Sequence, residues 1–105
     1  MGVIKGVLKE ELRNSLKMQK DYERALKQLP RGSLIRKKIK GHNYYYLIVR
    51  EGKHVRFIYQ GKVGNDTIKR YKEVKTLRAK YRHLLSRIKK QIRFLRSSLR
   101  GKESI

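Results

Sequence analysis

Residues 34–62 read LIRKKIKGHNYYYLIVREGKHVRFIYQGK, and this stretch decides the fold. It contains three runs rich in β-branched and aromatic residues, which is typical of β-strands. The runs are separated by the short segments Gly41-His42-Asn43 and Glu51-Gly52-Lys53. Because connections this short join antiparallel neighbours, we predict a three-stranded β-meander over residues 34–62.

Helical periodicity flanks the meander on both sides. Before it, apolar residues from Leu8 to Leu29 recur on one half of a helical wheel, and Pro30 cannot continue the helix. After it, apolar residues follow the 3-4 spacing of a packing seam. This seam consists of Val74, Leu77, Tyr81, Leu84 and Ile88. The spacing does not decide whether the seam packs on the first helix or on a second copy in a homodimer.

These patterns together predict the α+β class and a single domain over residues 1–105. We expect an N-terminal amphipathic helix at 5–29, the three-stranded antiparallel β-meander at 34–62, and a long basic C-terminal helix at 66–100.

Charge is the strongest indication of function. The 105 residues include 30 Lys and Arg against 8 Asp and Glu, a formal net charge of +22. From Asp66 to Ile105 there are fourteen basic and three acidic residues, whereas residues 1–29 hold seven and four. Like charges one turn apart destabilise a helix, so a long helix with this basic excess indicates contact with a polyanion. We expect nucleic acid, DNA or RNA, as the partner.

The predicted nucleic-acid-binding residues come from the meander and the C-terminal helix. They are Arg31, Arg36, Lys37, Lys38, Lys40, Tyr44, Tyr46, Arg50, Arg56, Lys75, Arg78, Arg82, Lys89, Lys90, Arg93 and Arg96. The Lys and Arg side chains are expected to contact phosphates. For Tyr44-Tyr45-Tyr46, alternation along a strand sends at least one ring to the core. A minority hypothesis is that exposed Tyr44 or Tyr46, beside Tyr59, stacks on unpaired bases.

Other functions find little support in the sequence. The eight carboxylates are scattered and there is no cysteine, so we expect no metal, no cofactor and no enzymatic activity. A metal-free ribonuclease using His42, His54 and Tyr59 is the enzymatic alternative. No apolar run is long enough to span a membrane, and we expect a cytoplasmic protein associated with the nucleoid or with a ribonucleoprotein.

Four strings in the middle of the chain resemble a known family. They are LPRGSL at 29–34, KKIKGHNYYYL at 37–47, REGK at 50–53 and YQGK at 59–62. Together they resemble a short, functionally uncharacterised prokaryotic domain family found in chromosomal and mobile-element proteins. The resemblance covers about one third of the chain. It implies the order helix, meander, helix, and it implies no activity and no catalytic residue.

Two functional hypotheses follow. The first is a small basic protein that contacts the nucleic-acid backbone through its C-terminal helix and its Tyr-rich hairpin. The second is an interaction or regulatory subunit of a nucleoprotein complex, including a mobile-element-encoded inhibitor that occupies the nucleic-acid channel of such a complex.

Overall fold

The predicted α+β class is confirmed by a computed structural model, which describes residues 2–103. Two helices flank one three-stranded antiparallel sheet. The elements in chain order are α1 (Gly2–Gln28), β1 (Ser33–Ile39), β2 (His42–Glu51), β3 (His54–Gly61) and α2 (Asn65–Glu103). The last helix continues through Gly101, where the sequence predicted its end. Glycine inside a helix costs only about 1 kcal/mol, so it does not by itself stop one.

The chain forms two compact units, which we describe separately. The helical unit contains residues 2–28 and 79–103, and the sheet unit contains residues 29–78. Helix α2 therefore contributes its first part, up to Arg78, to the sheet unit, and its remainder to the helical unit.

In the helical unit, α1 lies antiparallel to α2. The amide nitrogen of Gln91 donates to the hydroxyl of Ser15 at 3.0 Å, and the rings of Tyr22 and Tyr81 lie 6.3 Å apart. Ser15 is 1% exposed and is the most deeply buried residue of α1. Gln91 satisfies the Ser15 hydroxyl, which would be costly to bury unpaired.

The core of the helical unit comes from one side of α2. The buried apolar residues of this part of the helix are Ile88, Ile92, Leu95 and Leu99. Their 4-3-4 spacing places them on one face of a helix and continues the predicted seam. Leu99, near the C-terminal end, is only 7% exposed, so this part of the seam is covered from Ile88 to Leu99, whereas Leu77 of the predicted seam is 38% exposed.

The sheet unit has the strand order β1-β2-β3. On one face of the sheet, Arg36 is paired with Tyr45, and Leu47 with Ile58. On the other face, Tyr46 of the central strand lies between Ile35 of β1 and Tyr59 of β3. The first face lies against the start of α2, because Leu34 and Tyr45 line a cleft with Ile68 and Tyr71 of that helix. Val49 and Val74 are the buried apolar residues of this unit, at 8% and 5% exposure. We call the face of the sheet that lies against α2 the covered face.

Two-residue turns set the register of the meander. Lys40 and Gly41 join β1 to β2 with φ values of 51° and 79°. Positive φ at both central positions fits a type I′ turn, whose twist matches that of antiparallel strands. Gly52 and Lys53 form the second turn, between β2 and β3. The strands consequently pair without slippage as far as Tyr46, where the ladder between β2 and β3 shifts by one residue.

Gly32, just before β1, occupies a position that no other residue fits. Its φ is 94°, and a Cβ there would lie 2.9 Å from the carbonyl oxygen of Ile48 and 3.0 Å from Cδ1 of Leu47. We expect Gly32→Ala to lower the free energy of unfolding by about 2 kcal/mol, since the conformation alone costs roughly 1–2 kcal/mol. Urea denaturation measures this. The control is Gly64→Ala, where a Cβ meets nothing within 4 Å, and equal losses in both variants would contradict the prediction.

Candidate nucleic-acid interface

Helix α2 carries a line of cations along one side within the helical unit. At 100° per residue its members fall within a sector of about 60°. They are Arg82, Lys89, Arg93, Arg96 and Arg100, all exposed, and we call them the basic stripe. Lys90 is also exposed but lies outside this sector, on a neighbouring part of the helix surface. The buried side chains occupy a neighbouring sector of the helix, so the stripe borders the core while its side chains are open to solvent.

The charges of the basic stripe are uncompensated. The sequence has no Asp or Glu from Ala79 to Gly101. Among the side chains of residues 2–101, the ion pairs within 4 Å are Asp21 with Arg24 at 3.9 Å and Glu51 with Arg56 at 3.0 Å, and neither involves α2. The cations of such a surface repel one another, and together they attract a partner with closely spaced negative charges.

The covered face of the sheet unit borders a second basic site. A cleft of about 390 Å³ is lined by the cations Arg36, Lys72 and Lys75, by the rings of Tyr45 and Tyr71, and by apolar Leu34 and Ile68. None of these lining residues is acidic. The three cations and two phenol groups are all hydrogen-bond donors of the kinds that phosphate oxygens accept. Of the predicted residues, the cleft brings together Arg36 and Lys75.

Three other predicted residues have partners inside the sheet unit. Arg31 donates to the carbonyl of Arg50 at 3.0 Å, and Arg56 pairs with Glu51. Arg78 donates to the carbonyls of Pro30 at 2.6 Å and Gly32 at 3.3 Å.

These hydrogen bonds differ in how accessible they leave each arginine side chain. The bonds of Arg31 and Arg56 are exposed, so both remain accessible to a ligand. Those of Arg78 are partly buried and tie α2 to the segment that precedes β1. Lys38 and Lys40, at the end of β1 and in the turn after it, are exposed.

The second face of the sheet is aromatic. By register it carries Tyr44 and Tyr46 on β2 and Phe57 and Tyr59 on β3. The ring of Tyr59 lies 5.3 Å from that of Tyr46 and 6.3 Å from that of Tyr44. Phe57 and Tyr59 are 61% and 58% exposed, whereas Tyr44 and Tyr46 are half-buried. We call this side of the sheet the aromatic face.

Two predicted cations share the aromatic face. Lys37 lies on β1 opposite Tyr44, and its ammonium nitrogen is 5.2 Å from the centre of the Tyr46 ring. Arg50 lies on β2 opposite Val55, and its side chain is exposed. Phe57 was not among the predicted site residues. The sequence does contain a pattern that points to Phe57: it lies two residues before Tyr59 in the same strand, and this spacing places both rings on one face.

Comparison with protein-family models, with curated proteins and with solved structures found no match to this chain. The part of the chain from Gly2 to Glu103 contains no helix apolar and long enough to cross a membrane. Within the same residues, no three His, Asp or Glu side chains come together in a way that would hold a metal ion.

Proposed function

We propose that this protein binds nucleic acid through contacts to the phosphate backbone. The observation that carries the proposal is the basic stripe of α2, a row of exposed cations with no ionic partner among the side chains of residues 2–101. Each Lys or Arg that neutralises a phosphate releases condensed counterions, and this release drives association. The Tyr-rich hairpin of the sheet unit is a separate basic surface for the same ligand.

The size of the net charge is itself an argument for a polyanionic ligand. A net charge of +22 greatly exceeds the magnitude of about 2–8 that keeps a small domain soluble. The excess destabilises the compact state through self-repulsion. A backbone with regularly spaced phosphates relieves that repulsion, and the cleft of Arg36, Lys72 and Lys75 provides an additional phosphate position.

The salt dependence of binding tests the proposal. If six to ten phosphates are engaged, affinity for DNA or RNA should fall roughly 10³–10⁵-fold between about 50 and 200 mM salt. Fluorescence anisotropy of labelled oligonucleotides, titrated at several salt concentrations, measures the slope. Polyglutamate of matched charge is the control for attraction to any polyanion. Absence of binding at low salt, or equal affinity for polyglutamate, would refute nucleic acid as the ligand.

The second candidate is an interaction or regulatory subunit of a nucleoprotein complex, or a mobile-element-encoded inhibitor that occupies the nucleic-acid channel of such a complex. It is favoured by an apolar strip at the start of α1, where Val3, Ile4 and Val7 are 81%, 50% and 54% exposed. These positions share one side of the helix, and exposed apolar strips mark protein-interaction sites. A defined protein partner that remains bound through nuclease treatment and high-salt washing would support this candidate. A clean monomer would count against it.

A further inference from the structure

The aromatic face exposes flat rings that the fold does not require. Phe57 and Tyr59 are more than half exposed, although aromatic side chains usually bury most of their area. Both lie on β3, an edge strand, two residues apart on the same face. Tyr59 makes ring contacts with Tyr44 and Tyr46, so its orientation is supported from one side while its surface remains free. This is a preformed platform for another flat group.

The charge around the platform indicates which flat group it accepts. Lys37 lies over the Tyr46 ring, and Arg50 is exposed on the same face. In the sheet unit as a whole, residues 29–78, there are fourteen basic and three acidic residues. An apolar protein surface docked here would strip water from these cations without pairing them, which is costly. A nucleotide supplies both a ring for stacking and a phosphate for the cations.

We propose that the aromatic face stacks on unpaired bases of a single-stranded nucleic acid, with Phe57 and Tyr59 as the stacking residues and Lys37 and Arg50 at the flanking phosphates. The inference rests on the proposed function and adds the class of nucleic acid to it. In a duplex the flat faces of the bases are already stacked on each other, so only unpaired bases are open to these rings. Stacking is tolerant of sequence because every base has a flat π-face.

The test compares single-stranded and duplex binding in matched variants. The probes are a mixed-sequence strand of about 12 nucleotides, within the usual range for a small single-strand site, and the blunt duplex of the same sequence. We expect wild type to prefer the single strand. Tyr59→Ala and Phe57→Ala should each weaken single-strand binding roughly 5- to 150-fold, the value of one stacked base. Duplex affinity and the salt slope should stay unchanged, because no cation is removed.

Two further variants control the experiment. Tyr59→Phe keeps the ring and should retain single-strand affinity, which separates stacking from any contact of the hydroxyl. Phe94→Ala removes an aromatic side chain of similar exposure, 68%, from α2 in the helical unit, and should leave single-strand affinity unchanged. Circular dichroism checks that each variant is folded.

The outcomes separate this inference from the proposed function. If wild type binds neither probe, both proposals fail. If it binds both probes equally and Tyr59→Ala has no effect, the inference fails and phosphate binding stands. If instead wild type is a dimer by light scattering, and Phe57→Ala with Tyr59→Ala yields a monomer of unchanged nucleic-acid affinity, the aromatic face joins two copies of the chain and the inference is overturned.

Discussion

Neutralising the basic stripe is expected to lower nucleic-acid affinity roughly a thousandfold at about 0.1 M salt. The variant replaces four stripe residues of the helical unit with Gln: Arg82, Lys89, Arg93 and Arg96. If each of them neutralises one phosphate, the slope of log affinity against log salt becomes shallower by about 0.7–0.9 per substitution, and affinity falls by a similar number of decades at 0.1 M. Salt titrations of wild type and variant measure both quantities.

A matched variant on α1 controls for the loss of bulk charge. Replacing Lys9, Lys17, Lys20 and Lys27 with Gln removes the same four charges from exposed positions of the same unit. Helix α1 mixes its cations with four carboxylates, so we expect a much smaller loss of affinity and little change in the salt slope. Equal losses in the two variants would show that net charge, and not the stripe, determines binding.

The stripe variant should also be at least as stable as wild type. Lys89 with Arg93 and Arg96 with Arg100 are like-charge pairs at i,i+4 spacing, each destabilising by about 0.2–0.5 kcal/mol. Removing the repulsion should raise the melting temperature while binding is lost. A gain in stability with a loss of binding is the behaviour expected of residues whose charges serve a ligand and not the fold. A large drop in melting temperature would instead indicate a structural role for the stripe.

The order of helices and strands was predictable because it depends on local patterns. The change from a period of 3.6 to a period of 2 near Leu34 marks the passage from helix to strand, and turns as short as Lys40–Gly41 leave antiparallel pairing as the only topology. The large basic excess of α2 was equally predictable, because counting charges requires no knowledge of which residues are neighbours in the fold.

Strand alternation predicts that the Tyr triplet is divided between the two faces of the sheet. It does not predict which of these faces packs against α2. Strand β2 is apolar on both sides, so its own pattern does not say whether Tyr45 or its two neighbours meet α2. The structure places Tyr45 in the cleft with Tyr71 and leaves Tyr44 and Tyr46 on the aromatic face. That choice depends on packing against a helix that begins some twenty residues later in the chain, and a strand pattern contains no such information.

Ser15 and Arg78 show the same limitation for single residues. A serine within an amphipathic helix gives no sign that it will be buried, and its burial depends on Gln91 being brought to it by the antiparallel packing of α1 and α2. Arg78 was predicted as a phosphate-binding residue because it belongs to a run of cations. Its hydrogen bonds to the carbonyls of Pro30 and Gly32 join residues far apart in sequence, which the charge pattern does not reveal.

We expect Arg78→Ala to lower the free energy of unfolding by about 3 kcal/mol. Its guanidinium donates to two backbone carbonyls, at 2.6 Å to Pro30 and 3.3 Å to Gly32, and both bonds are partly buried. A hydrogen bond from a charged group contributes about 1.5–3 kcal/mol, and its loss leaves the carbonyls without a donor. Urea denaturation measures the loss, and Arg78→Lys should recover only part of it because an ammonium lacks the planar fork.

Comparison with Arg82 separates structural support from phosphate binding. Arg82 lies four residues further along α2, is exposed, and belongs to the basic stripe. Arg82→Ala should leave stability nearly unchanged and make the salt slope of binding shallower by about 0.7–0.9. Arg78→Ala should do the reverse, lowering stability while the folded fraction binds with the wild-type slope. If Arg78→Ala instead changes the slope and spares stability, Arg78 binds phosphate, and the hydrogen bonds to Pro30 and Gly32 contribute little to the sheet unit.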